Sequence, residues 1–410
     1  MKILVLNTGS SSLKCELYTA DGEDVADNPA WEAQADWKQL PGPAALKIKR
    51  RDLPSQQSEV QVRSIEQTVE QLLRGLTQGE HAVIRSFDEI TITGHRVVHG
   101  GGRFRESTRL TEDVRRDIRA LAPFAPLHNP LAIEAIEAAE MVLGRGSEQV
   151  VVFDTSFHST LPPRSYLYPG PREWEQQGLR RYGFHGISHQ YVSQRASQLI
   201  SPILGKTASE IRMITCHLGN GCSLCALQGG VSVETTMGFT PLEGLMMGSR
   251  SGTVDPGLLL YLLREKALTV DELDRTLNLE SGLQGLSGIS SDMRQVEAAA
   301  RNGDAHARQA LDVYTYRLAY FISALMPSLG ALDALVFTAG VGENSNTVRA
   351  QTCEHLGFLN VFLDPALNNQ PAADRLISAP DSQTLVMVIR TRENFQIARE
   401  CVRLLQTTAH

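Results

Sequence analysis

Several protein classes are removed by what this chain has little of. Six cysteines in 410 residues are too few and too scattered for a disulfide framework. Cys222 and Cys225 have C-x2-C spacing, but no second pair stands near them, so reduced thiols are expected rather than a zinc site. The longest apolar run, near Leu318 to Met326, is too short to span a bilayer. There is no charged-then-apolar leader, and no signal peptide is read. Charge of one sign does not accumulate: Lys47-Ile48-Lys49-Arg50-Arg51 is short and reads as a solvated patch, and the net charge of −7 argues against nucleic acid as a partner. A soluble cytoplasmic protein with neither membrane nor nucleic-acid partner is expected. Low-complexity linkers are missing too, and the length anticipates about two or three domains.

The two commonest phosphate fingerprints are also absent. Gly205-Lys206-Thr207 ends like a G-x-x-x-x-G-K-[ST] loop, but Ile200 stands where its first glycine belongs. Gly219-Asn220-Gly221 and Gly340-Val341-Gly342 fail to complete G-x-G-x-x-G, because Leu224 and Ser345 occupy the last position. A Walker-type ATPase and a simple Rossmann dehydrogenase are disfavoured. Nor is there a metalloprotease: His95…His99 lies in β-branched company, and His185…His189 encloses a glycine and no glutamate. For these histidines catalysis or packing is expected before metal.

What the chain does have is a repeated device. Ile3-Leu4-Val5-Leu6 stops at Asn7-Thr8-Gly9-Ser10-Ser11-Ser12 and resumes as Leu13-Lys14-Cys15-Glu16. This reads as strand, hydroxyl-rich turn and strand, a turn whose amides, hydroxyls and lysine suit a phosphate, although ordinary serine hairpins share the pattern. Met213 to Leu218, Gly219-Asn220-Gly221-Cys222-Ser223, then Leu224 to Leu227 repeats it. A third glycine loop, Ala339 to Ser345, follows the apolar strand Ala334 to Phe337 and precedes a helical pattern, where amides favour anions. Two such hairpins and one strand-loop-helix make a polyphosphate nucleotide the economical ligand.

Strands and helices alternate elsewhere. Ser64-Ile65-Glu66-Gln67 predicts a capping box opening a helix with Ile65, Val69, Leu72, Leu73 and Leu76 on its apolar face. Asn129-Pro130 predicts a capped helix start, and a long helix from about Ala305 to Met326 is expected to stop at Pro327. Val150 to Phe153 predicts a buried strand ending at Asp154, whose carboxylate faces a ligand crevice or caps the next turn. Charged groups lie between glycines in Arg180 to Gly186 and in Thr240 to Gly252. The domains expected are 1–154, joined by the segment 386–410, and 155–385.

Six ordered segments closely resemble the acetate kinase family: Asn7 to Lys14, Gly94 to Gly101, Phe153 to His158, Tyr182 to Gly186, His217 to Gly221 and Thr338 to Asn344. The resemblance spans nearly the whole chain. It implies an α/β, two-domain duplicated actin-like and sugar-kinase (ribonuclease H-like) fold with a ligand cleft between domains, and a homodimer in the cytoplasm. It implies reversible, Mg²⁺-dependent phosphoryl transfer from ATP to acetate, giving acetyl phosphate and ADP, with Mn²⁺ able to replace Mg²⁺. By motif, Asn7 and Glu393 would serve the metal, and Asp154, His185 and Arg250 the catalytic step. Arg96 would bind the carboxylate, and Val98, Leu127, Phe184 and Pro241 the methyl group. The nucleotide would fall to Ser10, Ser12, Lys14, His217, Leu218, Gly219, Asn220, Gly221, Asp292, Met293, Arg294, Gly340, Val341, Gly342, Glu343 and Asn344.

A short-chain carboxylate is ionised at neutral pH and needs no base, so positioning and charge neutralisation should dominate. Asp154 is therefore expected to orient an arginine or the water shell of Mg²⁺. Thr253 and Cys222 depart from the family pattern, where a carboxylate and a hydroxyl residue are usual. Three other readings compete: a propionate or butyrate kinase of the same family, an actin-like ATPase module, and a metal hydrolase built on the paired histidines.

Overall fold

The computed structural model describes residues 1–9, 12–37, 40–126, 128–371 and 374–406. The chain divides into two compact units, Met1–Phe157 with Arg392–His410, and His158–Thr391. Among the described residues the first holds nine strands: β1 (Lys2–Thr8), β2 (Ser12–Asp21), β3 (Asp24–Val25), β4 (Trp31–Trp37), β5 (Gly42–Arg50), β6 (Gln56–Val62), β7 (Ile92–Val97), β8 (Thr108–Arg109) and β9 (Glu148–Phe153). Their order is β6-β5-β4-β2-β1-β7-β9-β8, with β3 on β2. β1 and β2 form the antiparallel hairpin, while β1, β7 and β9 run parallel.

Ile3 to Leu6 is apolar at every position because a central strand of such a sheet is covered on both faces. The predicted face of the helix Ile65–Thr77 is buried and joins Leu4, Leu6 and Trp31 in one core. The helix Glu393–Gln406 lies against β7 at Gly94, where a β-carbon would stand 2.6 Å from both Ile397 and Cys401. No larger residue fits there without moving the helix.

Two helix starts differ from expectation. Ser64 accepts the Gln67 N–H at 3.2 Å, but the Gln67 side chain accepts from the Arg63 N–H, so the box is one-sided. Asn129 lies inside its helix, Asn129–Leu143, and brackets a loop instead of capping. Its amide accepts the His99 N–H at 3.1 Å and donates to the His99 carbonyl at 3.0 Å. Pro130 has no N–H to satisfy, which frees the side chain for a buried backbone elsewhere.

In the second unit, β10 (Arg212–Leu218), β11 (Cys222–Gln228), β12 (Val231–Thr235), β13 (Ala334–Thr338), β14 (Arg375–Leu376) and β15 (Leu385–Val388) pair in the order β12-β11-β10-β13-β15-β14. The run β4-β2-β1-β7-β9-β8 has the same connectivity and the same senses: a hairpin, an outer antiparallel strand, two parallel strands, and a short antiparallel edge. The duplicated α/β fold expected of the actin-like and sugar-kinase superfamily is therefore present strand for strand. The long helix runs Ala305–Leu329 and continues through Pro327 rather than stopping there. In the last turn a proline removes only one intrahelical bond, and Gly330, in the left-handed region with φ 73°, closes the end on the Met326 carbonyl. No helix among the described residues is long and apolar enough to cross a membrane.

Candidate active site

Parallel pairing of Leu6 with His95 and of Val97 with Phe153 brings Asn7, Arg96 and Asp154 to the carboxyl edge of the first sheet. That edge is where open α/β sheets bind ligands. Arg96 donates from Nη2 to Asp154 at 2.6 Å and from Nε to both carboxylate oxygens at 3.2 Å. The Asp154 side chain is 2 % exposed and that of Arg96 15 %. Burial works against the arginine's charge, and the Asp154 and Glu393 carboxylates more than offset it, so its pKa is raised. Asn7 Nδ2 donates to Glu393 at 3.2 Å and to Asn394 at 2.9 Å, and its Oδ1 accepts from Arg96 Nη1 at 3.4 Å. Lys14 is exposed and pairs directly across the hairpin from Asn7. Ser12 opens β2, where its carbonyl accepts the Gly9 N–H at 2.8 Å. Val98 is buried just beyond β7. Ser10 and Leu127 lie outside the described residues.

One amide oxygen and one carboxylate, from Asn7 and Glu393, are hard donors that suit Mg²⁺, which keeps several waters and needs only one or two carboxylates. Among the described residues no group of three or more His, Cys, Asp or Glu is placed to cage a metal. The donor set fits an ion that arrives with phosphate oxygens rather than one held by protein alone.

The second unit presents its hairpin tip with different chemistry. The Gly219 N–H closes on the Gly221 carbonyl at 3.0 Å, and the Asn220 carbonyl accepts the Gly248 N–H at 3.0 Å. A β-carbon at Gly221 would stand 3.3 Å from Arg250 Nη1 and 3.5 Å from His185 Nε2, so the bare glycine opens the space these two donors face. His185 has left-handed backbone, φ 57°, follows Gly183 at φ 76°, and heads the helix Gly186–Leu204. A non-glycine residue held there marks strain of the kind functional sites retain. Its ring stacks on His217 with centroids 4.1 Å apart, and Nδ1 lies 2.9 Å from Ser223 Oγ. Arg250 donates to the Pro241 carbonyl at 3.2 Å, and among the described residues no carboxylate pairs with it. Burial lowers its pKa.

The remaining candidates have mixed settings. Asp292 caps the helix Met293–Arg301 and pairs with Arg294 at 2.7 Å, while Met293 is buried. The loop 340–344 forms the short helix Ala339–Asn344, in which Glu343 accepts the N–H groups of Ala339 and Thr391 at 3.0 and 2.9 Å. One amide expected to face an anion is thus already taken. Phe184 is buried, with its carbonyl accepting from His158 at 3.1 Å. Cys222 is buried against Tyr314, which raises no conflict with a turn held by backbone bonds. Thr253, where a carboxylate is usual, accepts the Gly244 N–H with its hydroxyl at 2.9 Å and returns its own N–H to the Gly244 carbonyl. A hydroxyl is acceptor enough there.

Sequence reasoning missed Asn394, Ser223 and Arg349. Arg349 is buried and donates to the carbonyls of Gly342, Glu343 and Asn368, clamping the glycine loop from its carboxyl end. Burial and the nearby Arg375 lower its pKa to about 10. No local pattern signals such a partner.

Residues 2–399 match the model of the acetokinase family. The chain is 54 % identical over 404 residues to the acetate kinase of Gloeobacter violaceus, covering 98 % of each. Among solved structures it resembles Porphyromonas gingivalis acetate kinase, with TM-score 0.87, 38 % identity and coverage of 98 and 99 %. A propionate kinase from Francisella tularensis is similar too, with TM-score 0.87, 36 % identity and coverage of 97 and 98 %.

Proposed function

The chain belongs to the acetokinase family, and from that premise we propose that it moves the γ-phosphoryl group of ATP to acetate, reversibly, giving acetyl phosphate and ADP. It is a phosphotransferase with a carboxyl group as acceptor, of the acetate kinase class. The observation that carries the chemistry is Arg250: a desolvated guanidinium beside His185 and a glycine tip, with no carboxylate partner among the described residues. A positive charge kept uncompensated in this way suits a phosphoryl group whose negative charge spreads in flight.

Acetate needs no base, so the residues bind, orient and neutralise. Asp154 occupies the Nε–Nη2 edge of Arg96 and leaves the Nη1 side, which touches Asn7 at 3.4 Å, for the acetate carboxylate; the family resemblance assigns Val98, Leu127, Phe184 and Pro241 to the methyl group. Asp154 is a positioning residue in this scheme and carries no proton. Asn7 and Glu393 would hold Mg²⁺, which would supply charge screening for the leaving diphosphate; Mn²⁺ has the same oxygen preference. Ser10, Ser12 and Lys14 on one hairpin, and His217 to Gly221, Asp292 to Arg294 and Gly340 to Asn344, bind the nucleotide. His185 donates to the transferring group.

The propionate kinase shares this framework, and one methylene is worth only about 1–3 kcal/mol of discrimination. Protein, MgATP, hydroxylamine and a series of acetate, propionate and butyrate test the reading: acyl hydroxamate is expected, most from acetate. ATP loss without hydroxamate overturns it in favour of an ATPase.

The active form is a homodimer. None of the ten residues of the helix Pro256–Glu265 is buried, and Leu258, Leu260 and Tyr261 are 45, 50 and 50 % exposed. So apolar a helix needs a cover, and a second copy supplies one. Leu260→Arg should sediment as monomer where the wild type sediments as dimer. Six buried free thiols suit a reducing cytoplasm.

A further inference from the structure

We propose that Ser223 and His189 are positioning residues that fix which ring nitrogen of His185 carries its proton, so that Nε2–H faces the transferring phosphoryl group. The inference rests on reading the second unit as the phosphoryl site. Ser223 Oγ lies 2.9 Å from His185 Nδ1 and 2.8 Å from His189 Nε2, and His189 Nδ1 lies 2.7 Å from Thr215 Oγ1. His185 and His189 are one helical turn apart, which lets both rings reach the same hydroxyl.

A serine hydroxyl has one proton and cannot donate to both imidazoles. The row therefore has a direction. Burial holds His189 neutral, with His158 and His217 adding to the effect, so only one of its nitrogens is a donor. Taken as a neutral ring, His185 has one proton to place, and its Nε2 faces the same space at Gly221 as the Arg250 guanidinium. A neutral imidazole that turned a lone pair toward phosphate oxygens would repel them, whereas Nε2–H attracts them. Nδ1 must then accept from Ser223, Ser223 from His189 Nε2–H, and His189 Nδ1 from the Thr215 hydroxyl, which lies 2.7 Å from that nitrogen and 3.5 Å from its alternative acceptor, the Cys225 carbonyl. Stacking on His217 fixes the ring plane, and the relay fixes the proton.

Nitrogen-15 NMR of histidine-labelled protein reads the tautomer directly. The wild type should show His185 protonated at Nε2, and Ser223→Ala should mix the two tautomers. The same substitution should lower kcat about 10- to 100-fold, as loss of an orienting partner does, with both KM values nearly unchanged, and should cost nothing further on a His185→Ala background. Thr215→Val, which keeps the branched shape and removes the head of the relay, should shift the tautomer as well and guards against misfolding of the serine variant. A wild-type Nδ1–H tautomer, or losses that multiply in the double variant, overturns the proposal. An inactive protein with His185 protonated at Nε2 would overturn the kinase reading and leave the relay standing.

Discussion

Arg250→Ala lowers kcat by about 100- to 1000-fold, the usual loss when one donor to a developing anion is removed, while KM for ATP moves far less. Initial rates of hydroxamate formation measure it. The same variant should keep its melting temperature or gain a little. No carboxylate among the described residues is left bare by the change, and a desolvated positive charge is removed. Arg250→Lys should recover little, because an ammonium cannot reproduce the planar fork that reaches the Pro241 carbonyl and an anion together. A loss confined to KM for ATP would show that Arg250 binds substrate and does not act on the transition state.

Asp154→Asn should do the opposite to stability. It strips the carboxylate from a buried pair whose arginine is 15 % exposed, and breaking such a pair typically costs about 3–5 kcal/mol. Thermal unfolding should show a clear drop in melting temperature. Activity should fall about 100-fold or more through kcat/KM for acetate, since an amide cannot accept all three of the contacts by which the carboxylate aims Arg96. The pH–rate profile separates aiming from proton transfer. If the wild type has a limb that disappears in Asp154→Asn while Mg²⁺ dependence is unchanged, Asp154 moves a proton and the electrostatic account is wrong.

Much of the architecture was legible because it rests on short-range signals. Ile3 to Leu6 and Val150 to Phe153 are apolar at every position, and Gly9 and Gly219 to Gly221 mark the turns of the two hairpins. The helix face Ile65 to Leu76 has the 3.6-residue period and is buried accordingly. Side-chain partners were not legible. Asn129 meets His99, Asn7 meets Asn394, and Ser223 meets two histidines of a distant helix, none of which any local period encodes. Pro327 misled for a different reason: proline disfavours helix interiors, but its cost falls steeply in a final turn. Of the candidate site, the family resemblance pointed to residues that the first unit does gather, Asn7, Arg96, Asp154 and Glu393, and to His185, Gly221 and Arg250 in the second.

When the last pairs of the two hairpins are matched, Thr8–Leu13 with Leu218–Cys222, Lys14 falls on Ser223 and Asp154 on Thr391. Copying a backbone has not copied its electrical character: slots that carry full charges in one half carry neutral hydroxyls in the other. Division of labour between the halves is therefore written in a handful of side chains on a common template.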